Sequence, residues 1–316
     1  MTTKPKEAIK IQNIICCPTC SSKLTKKNSS YICKKCSHTY PIINNNIVSF
    51  ITSTSTDKLT NAKWQDFYLD DSFNKKAEEE YIKYFRDDIN KQILKYSKGF
   101  PQGKIFMDAG CGYGLTGESM AKEGWFFVGV DYSITTLINL NKRLIKHKIK
   151  NFILIHADIL SLPLRANCID LVWSGGVLEH IKDYSTGLNS IYRCLKRGCY
   201  SNIAVPSFNI GNLIYRSQWG GIPNVPILKQ LAEFIHIRLL KGKHMVFGYE
   251  LQFTKKQLLD LHINSGYKKN KVTLGRLECM PQVHSIKIPA LKMFFRRLCE
   301  TNENFWPMVV VVGFKS

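Results

Sequence analysis

From Lys104 onward, short apolar runs alternate with stretches whose apolar residues return every three or four positions. Apolar runs rich in Ile, Val, Phe and Leu fit strands buried on both faces, and the periodic stretches between them fit crossover helices. The pattern predicts strands at 104–108, 125–131, 152–156, 169–173 and 200–205, with helices near 115–123, 133–147 and 185–196. Pro206, which cannot donate to a strand ladder, ends the fifth strand, and an irregular stretch follows to about residue 252. Thr254 then reads as the N-cap of a helix closed by Gly266. A sixth strand, a helix near 288–300 and an apolar strand at 308–314 complete the chain. This order is that of an α/β fold built on a parallel sheet. Ahead of it, residues 57–98 are polar but set Ile82, Phe85, Ile89, Ile93 and Tyr96 at helical spacing. Residues 1–55 are turn-rich and carry paired cysteines.

The strongest chemical signal lies where the first of these strands ends, in Ile105-Phe106-Met107-Asp108-Ala109-Gly110-Cys111-Gly112-Tyr113-Gly114. Three alternating glycines between a strand and a helix let the backbone turn tightly and let a cofactor lie against it without Cβ clashes. The spacing differs from the dinucleotide pattern Gly-x-Gly-x-x-Gly, and an acid precedes the first glycine. A carboxylate there suits a cofactor with an α-amino group and would repel a pyrophosphate. Asp131 ends the second strand, where an acid can take both hydroxyls of a ribose. Asp158 follows the third strand, placed to accept from an adenine amino group. Cys111, Tyr132, Ile159 and Trp173 stand beside these positions as further candidate cofactor-binding residues. Asp170 begins a strand and so reads as structural, and nothing near Cys111 in sequence would lower its pKa enough to make it a nucleophile.

With Leu162-Pro163-Leu164, Ile169-Asp170-Leu171-Val172-Trp173 and Gly176-Val177-Leu178-Glu179-His180 added, the run resembles class I S-adenosylmethionine (SAM) dependent methyltransferases, most of all the UbiE-like branch of quinone-biosynthesis enzymes. The resemblance covers residues 100 to about 205, and 245–316 more loosely through Gln252-Phe253-Thr254 and Ser265-Gly266-Tyr267. It implies a Rossmann-like sheet of seven strands, SAM as cofactor, and Glu179 and His180 at the border of the site as candidate catalytic residues. The domain would span 101–316, with 206–252 as a lid and 56–100 as a helical linker before it. His244, Tyr249 and Glu250 in the lid are further candidate bases.

Cys17-Pro18-Thr19-Cys20 and Cys33-Lys34-Lys35-Cys36 are two Cys-x-x-Cys knuckles separated by twelve residues. Each knuckle can place two thiolates on one ion, and together they make the closed Cys₄ set of a structural Zn²⁺ site. Cys16 competes with Cys17 for the first place, and His38 is a lesser alternative. The segment Tyr40 to Phe50 resembles the zinc ribbons of methyltransferase activator subunits. Such ribbons also occur fused to methyltransferases, one of them specific for ribosomal RNA. Residues 1–55 are therefore expected to form a zinc ribbon whose folding depends on the metal.

Charge bears on the acceptor. The 316 residues carry a formal net charge of +21. The ends hold most of it: +7 in residues 1–60, from nine Lys against two acids, and +9 in 229–316, from fifteen basic residues against six acidic. An RNA or an anionic membrane surface would be attracted to such ends. However, 35 of the 45 cations are Lys, not the phosphate-forking Arg, and no basic run stands out. After the fourth strand comes Trp173-Ser174-Gly175-Gly176, neither the Asp/Asn-Pro-Pro-Tyr of base-amino methylation nor a Pro-Cys nucleophile. The 206–252 stretch is rich in apolar residues, with Tyr215 and Trp219 the aromatic candidates for substrate contact. The reading is methyl transfer to a small-molecule or lipid-linked acceptor. RNA is the first alternative, and a non-catalytic binding module of the same fold is the second. No apolar run approaches the ~20 residues of a membrane span, the first residues lack the apolar core expected of a signal peptide, and the cysteine usage predicts a reducing cytoplasm.

Overall fold

A computed structural model describes residues 9–51, 89–95, 104–215, 220–245, 248–275 and 288–316. The predicted linker 56–100 lies outside the described residues except for 89–95, where Asn90–Lys95 forms helix α1 and Ile89 and Ile93 are buried.

Four short strands come first: β1 (Leu24–Lys27), β2 (Ser30–Cys33), β3 (Thr39–Ile43) and β4 (Ile47–Ser49). Next come β5 (Ile105–Ala109), helix α2 (Leu115–Lys122), β6 (Phe126–Asp131), α3 (Ile134–Lys146), β7 (Phe152–His156), β8 (Ile169–Gly175), α4 (Tyr184–Cys194) and β9 (Leu195–Pro206). The last third holds α5 (Ile210–Tyr215), β10 (Ile222–Pro223), α6 (Pro226–Glu233), β11 (Leu251–Gln252), α7 (Lys255–Asn264), β12 (Lys268–Gly275), α8 (Pro289–Thr301) and β13 (Met308–Lys315).

The main sheet has eleven strands in the order β1-β2-β3-β4-β7-β6-β5-β8-β9-β13-β12. Its centre, from β4 to β9, is parallel, while β13 and β12 are antiparallel at one end. The expectation of seven strands is corrected by the four ribbon strands, which join the same sheet. Ile47, Val48 and Ser49 pair in parallel with Leu154, Ile155 and His156, and all three are buried. Without them β7 would present an open edge of unpaired backbone. Ile47 then packs into the core on one face of the sheet and Val48 into the core on the other. The same alternation runs through β6, where Phe127 faces one core and Val128 the other.

The helix ends follow local chemistry. Ser133 caps α3 by accepting from the Thr136 amide, and Asp183 caps α4 through Thr186. Thr254 and Gln257 form a reciprocal capping box on α7. The stretch 206–252 corrects the expectation of irregular chain. It holds α5 and α6, and α6 runs on as a wider π-helical segment to Leu239 before β11 returns beside β10.

Asp170 is structural, as its place at the start of a strand suggested. Its buried carboxylate accepts from the Ile105 amide at 2.9 Å and meets Lys104 and Lys196 at 3.2 and 2.9 Å. Both lysines are partly exposed, so the amide bond is the larger loss on removal. Asp170→Ala is expected to destabilise the fold by about 1–3 kcal/mol, read as a lowered urea midpoint with unchanged slope.

Candidate cofactor and metal sites

The loop after β5 turns because Gly110, Gly112 and Gly114 all adopt positive φ, at 78°, 48° and 62°. Gly110 has a second reason to be glycine: a Cβ there would lie 2.2 Å from a methyl of Val177. The Gly110 and Cys111 amides donate to the Val130 carbonyl at 2.8 and 2.9 Å, which ties the loop to β6.

That tie brings two acids together. Asp131, at the end of β6, accepts from the Gly112 amide on one oxygen and the Ser133 amide on the other, both at 2.8 Å. Each oxygen keeps a lone pair, so the carboxylate is held in orientation yet can accept two more hydrogen bonds. Asp108 is buried, and its pKa is raised well above the carboxylate range by burial and by the charge of Asp131. Burial also raises Asp131, against the pull of its amide partners. Two acids pushed up in this way favour a cationic or hydroxyl-bearing ligand, which fits the α-amino group and ribose of SAM.

The other predicted cofactor residues surround this pair. Trp173 is buried and lies in register with Asp108 on the neighbouring strand. Asp158 accepts from the Leu160 amide at 2.9 Å and caps the short turn that contains buried Ile159. The Tyr132 hydroxyl is buried with no hydrogen-bond partner among the described residues. Cys111 is buried, and burial pushes its thiol pKa well up, which suits packing and not nucleophilic attack.

One residue that the sequence reading passed over links the ribbon to this site. His156, paired with Asp131 across β6 and β7, places Nε2 at 3.0 Å from the Tyr132 carbonyl and Nδ1 at 2.8 Å from the Ser49 hydroxyl. A carbonyl only accepts, so Nε2 carries the proton and Nδ1 accepts from Ser49. Burial lowers the His156 pKa and keeps the ring neutral. The last residue of β4 therefore braces the turn that follows the candidate ribose acid. The signal in the sequence was a histidine ending a strand two residues before Asp158, with nothing to say that Ser49 would meet it.

After β8, Glu179 and His180 lie in a short turn, Glu179 buried and His180 half-buried. His180 Nδ1 lies 2.6 Å from the Tyr249 carbonyl, so Nδ1 donates and Nε2 is the ring's acceptor. Tyr249 in turn donates its hydroxyl to Glu233 at 2.7 Å. The insertion thus reaches the candidate catalytic turn through Tyr249. His244 pairs instead with His236 at 2.7 Å. Of the two aromatic lid candidates, Tyr215 is the last residue of α5 and Trp219 lies outside the described residues.

The cysteine knuckles share one hydrogen-bond pattern. Ser21 donates to the Cys17 carbonyl and Ser37 to the Cys33 carbonyl, each at 2.8 Å, with Ser21 and Ser37 both at positive φ. The Sγ atoms of Cys17, Cys20, Cys33 and Cys36 all lie within 4.8 Å of one another, three pairs at 3.4–3.6 Å. A tetrahedron of sulfurs at Zn–S ≈ 2.3 Å has edges of about 3.8 Å, so the set fits Zn²⁺. Cys16 stands outside the four, its amide bonded to the Pro163 carbonyl at 2.9 Å. Tyr40 lies 3.1 Å from Cys17 Sγ and His38 3.2 Å from Cys36 Sγ, placed to donate to thiolates.

Residues 107–201 match the family described as methyltransferase domain. A ubiquinone biosynthesis O-methyltransferase of Coxiella burnetii is 32% identical over 112 residues, 35% of this chain and 47% of that protein. A probable SAM-dependent methyltransferase of Mycolicibacterium smegmatis is 26% identical over 105 residues, 33% of this chain and 39% of the relative. The chain thus spans less than half the length of these curated relatives. Among solved structures, geranyl diphosphate C-methyltransferase of Streptomyces coelicolor aligns with TM-score 0.51 at 12% identity, over 73% of this chain and 79% of that one. Phosphoethanolamine N-methyltransferase 2 of Haemonchus contortus, solved with SAM, aligns with TM-score 0.50 at 18% identity, over 80% of this chain and 60% of its own. The fold is the Rossmann-like methyltransferase fold with a mixed sheet.

Replacing Asp131 by Ala removes charge-assisted bonds of about 1.5–3 kcal/mol, so SAM affinity measured by calorimetry is expected to fall roughly ten- to a hundredfold. Ser49→Ala, acting only through His156, is expected to cost less. Native mass spectrometry is expected to show one zinc per chain, retained by Cys16→Ala and lost in Cys17→Ala.

Proposed function

We propose that the chain is a SAM-dependent methyltransferase acting on a small-molecule or lipid-linked acceptor, with its zinc ribbon built into the wall of the cofactor site. The observation that carries this is the paired arrangement of Asp108 and Asp131 beside the glycine loop, with Asp131 fixed by the Gly112 and Ser133 amides. When bound, SAM supplies an electrophilic methyl group on a sulfonium. Asp131 would take the ribose hydroxyls, Asp158 the adenine amino group, and Asp108 with Gly110 the amino-acid end. Trp173, Ile159, Tyr132 and Cys111 would shape the pocket around them.

His180 is the candidate base. Its Nδ1–H donates to the Tyr249 carbonyl, which orients the ring and makes Nε2 the basic nitrogen that would take a proton from the acceptor. Glu179, buried beside it, is the second candidate. Because Tyr249 belongs to the 206–252 insertion, movement of that segment would carry the orientation of His180 with it. The ubiquinone-biosynthesis relative supports a small or lipid-like acceptor, as does the apolar content of the insertion. Zn²⁺ in the Cys₄ set would hold the ribbon, and through β4 the turn behind Asp131, with no part in the transfer.

The test is transfer of labelled methyl from SAM to fractionated extract. Label in the lipid or small-metabolite fraction is expected. His180→Ala is expected to lower turnover by about 10²–10⁴-fold with SAM affinity unchanged. Label confined to RNA, with binding that weakens steeply as salt rises from 50 to 200 mM, would promote the RNA reading. Absence of SAM binding would favour a non-catalytic module.

A further inference from the structure

The helical segment from Pro226 to Leu239 is built the wrong way round for a soluble surface. None of its residues is buried. The positions that turn toward the protein are Lys229, Ala232, Glu233 and His236, spaced at helical intervals and half-buried. Glu233 accepts from Tyr249 and His236 pairs with His244, so polar chemistry anchors the inner face. The outward face is apolar: Ile227 is 80% exposed, Leu231 55%, Phe234 48% and Leu239 61%. A helix of a soluble protein normally turns its apolar stripe inward.

This inversion is not a general looseness of the surface. Fourteen of the sixteen exposed large apolar side chains among the described residues lie in 210–240 and 288–294, that is, on α5, on α6 with its extension, and on or beside α8. These elements leave the sheet at one edge. Pro206, the last residue of β9, pairs with Met308, the first of β13, at the carboxyl end of the parallel strands. Asp108, the penultimate residue of β5, and Asp131, the last of β6, lie at that same edge. The segment after α8 packs back on α5, where the Asn209 amide donates to the Trp306 carbonyl at 2.7 Å.

Charge distinguishes the occupant. Arg238, Lys241 and Lys243 are exposed along and just beyond the helix, and Arg297 is exposed on α8. The single acid between 226 and 245 is Glu233, which faces inward. An outward apolar stripe bordered by cations matches a bilayer surface with anionic headgroups: apolar side chains enter the acyl boundary and lysines meet phosphate. No helix of the described residues is long and apolar enough to cross a membrane, so such contact would be peripheral.

We propose that the outward face of residues 226–240, at the carboxyl edge from which α5 and α8 also leave the sheet, docks on an anionic lipid surface. The proposal goes beyond the methyl-transfer reading and does not need it, since docking is measured without turnover. If both hold, an acceptor in the bilayer would meet the site from the side on which Asp108 and Asp131 lie.

The test is cosedimentation of the full chain with vesicles of phosphatidylcholine alone and of equal parts phosphatidylcholine and phosphatidylglycerol. Binding to the mixed vesicles is expected, at least about tenfold tighter than to phosphatidylcholine alone. The double substitution Ile227→Ser, Leu231→Ser is expected to weaken it by about tenfold or more, since two large apolar side chains no longer enter the bilayer. Lys241→Glu with Lys243→Glu is expected to erase the preference for anionic lipid. Unaltered SAM affinity in these variants shows that they fold, and keeps a failure of docking distinct from a failure of the cofactor reading. Lack of vesicle binding, or binding that ignores the apolar substitutions, would overturn the proposal. So would a dimer in sedimentation velocity that the Ile227→Ser, Leu231→Ser variant disperses, because a second copy would then cover the face.

Discussion

Three residues hold the molecule's two halves in one sheet. Ile47, Val48 and Ser49 lie in parallel against β7, and the Leu154 amide donates to the Asn46 carbonyl while the Phe50 amide donates to that of His156. The ladder is short, but it closes the edge of a parallel sheet and sends one apolar side chain into each core. A strand of three residues has no independent stability; it exists because the ribbon behind it is fixed. The ribbon in turn is too small to fold on a core of its own, so the four-sulfur cluster and the β7 edge support each other. Docking continues away from the ladder: Ile15 bridges Leu164, and the Arg165 amide donates to the Ile14 carbonyl.

The consequence reaches the candidate chemistry by a short path. Ser49 donates to His156, His156 donates to the Tyr132 carbonyl, and Tyr132 follows Asp131 directly. Asp131 is also held from the other side by the Gly112 amide of the glycine loop. Its carboxylate is therefore oriented by backbone groups whose own positions are set by different parts of the chain. Such preorganisation lets an acid bind a ligand without spending conformational freedom at that moment.

The insertion shows the reverse economy. Within it, Pro226 to Leu239 buries none of its residues, whereas Ile222, Met245, Tyr249 and Leu251 on either side sink into the core. The helix between them is tied down by polar pairs, Tyr249 to Glu233 and His236 to His244. A helix that buries none of its residues and turns its apolar side outward can shift its seat more easily than one sunk in a core. The candidate base His180 is oriented by the Tyr249 carbonyl, which belongs to the insertion's backbone.

The sequence by itself determined the strands and helices from Lys104 to Pro206 and from Thr254 onward, though not those of the insertion between them, because short apolar runs and helical periods of α/β units are local signals. It also determined the glycine loop, whose positive φ values at Gly110, Gly112 and Gly114 are a backbone demand that only certain residues meet. The four-cysteine set was legible for a similar reason, since spacing within each knuckle fixes the local turn. The tertiary structure alone decided that the ribbon strands join the main sheet. Ile47-Val48-Ser49 carries no mark of its partner, and strand pairing is a long-range choice made by whichever edge is open. It also decided that Ser49 and His156 meet across 107 positions of chain, and that Leu231 and Phe234 face outward. A helical period records that a helix has an apolar side. Which way that side turns depends on the polar partners, here Tyr249 and His244, that hold the opposite face.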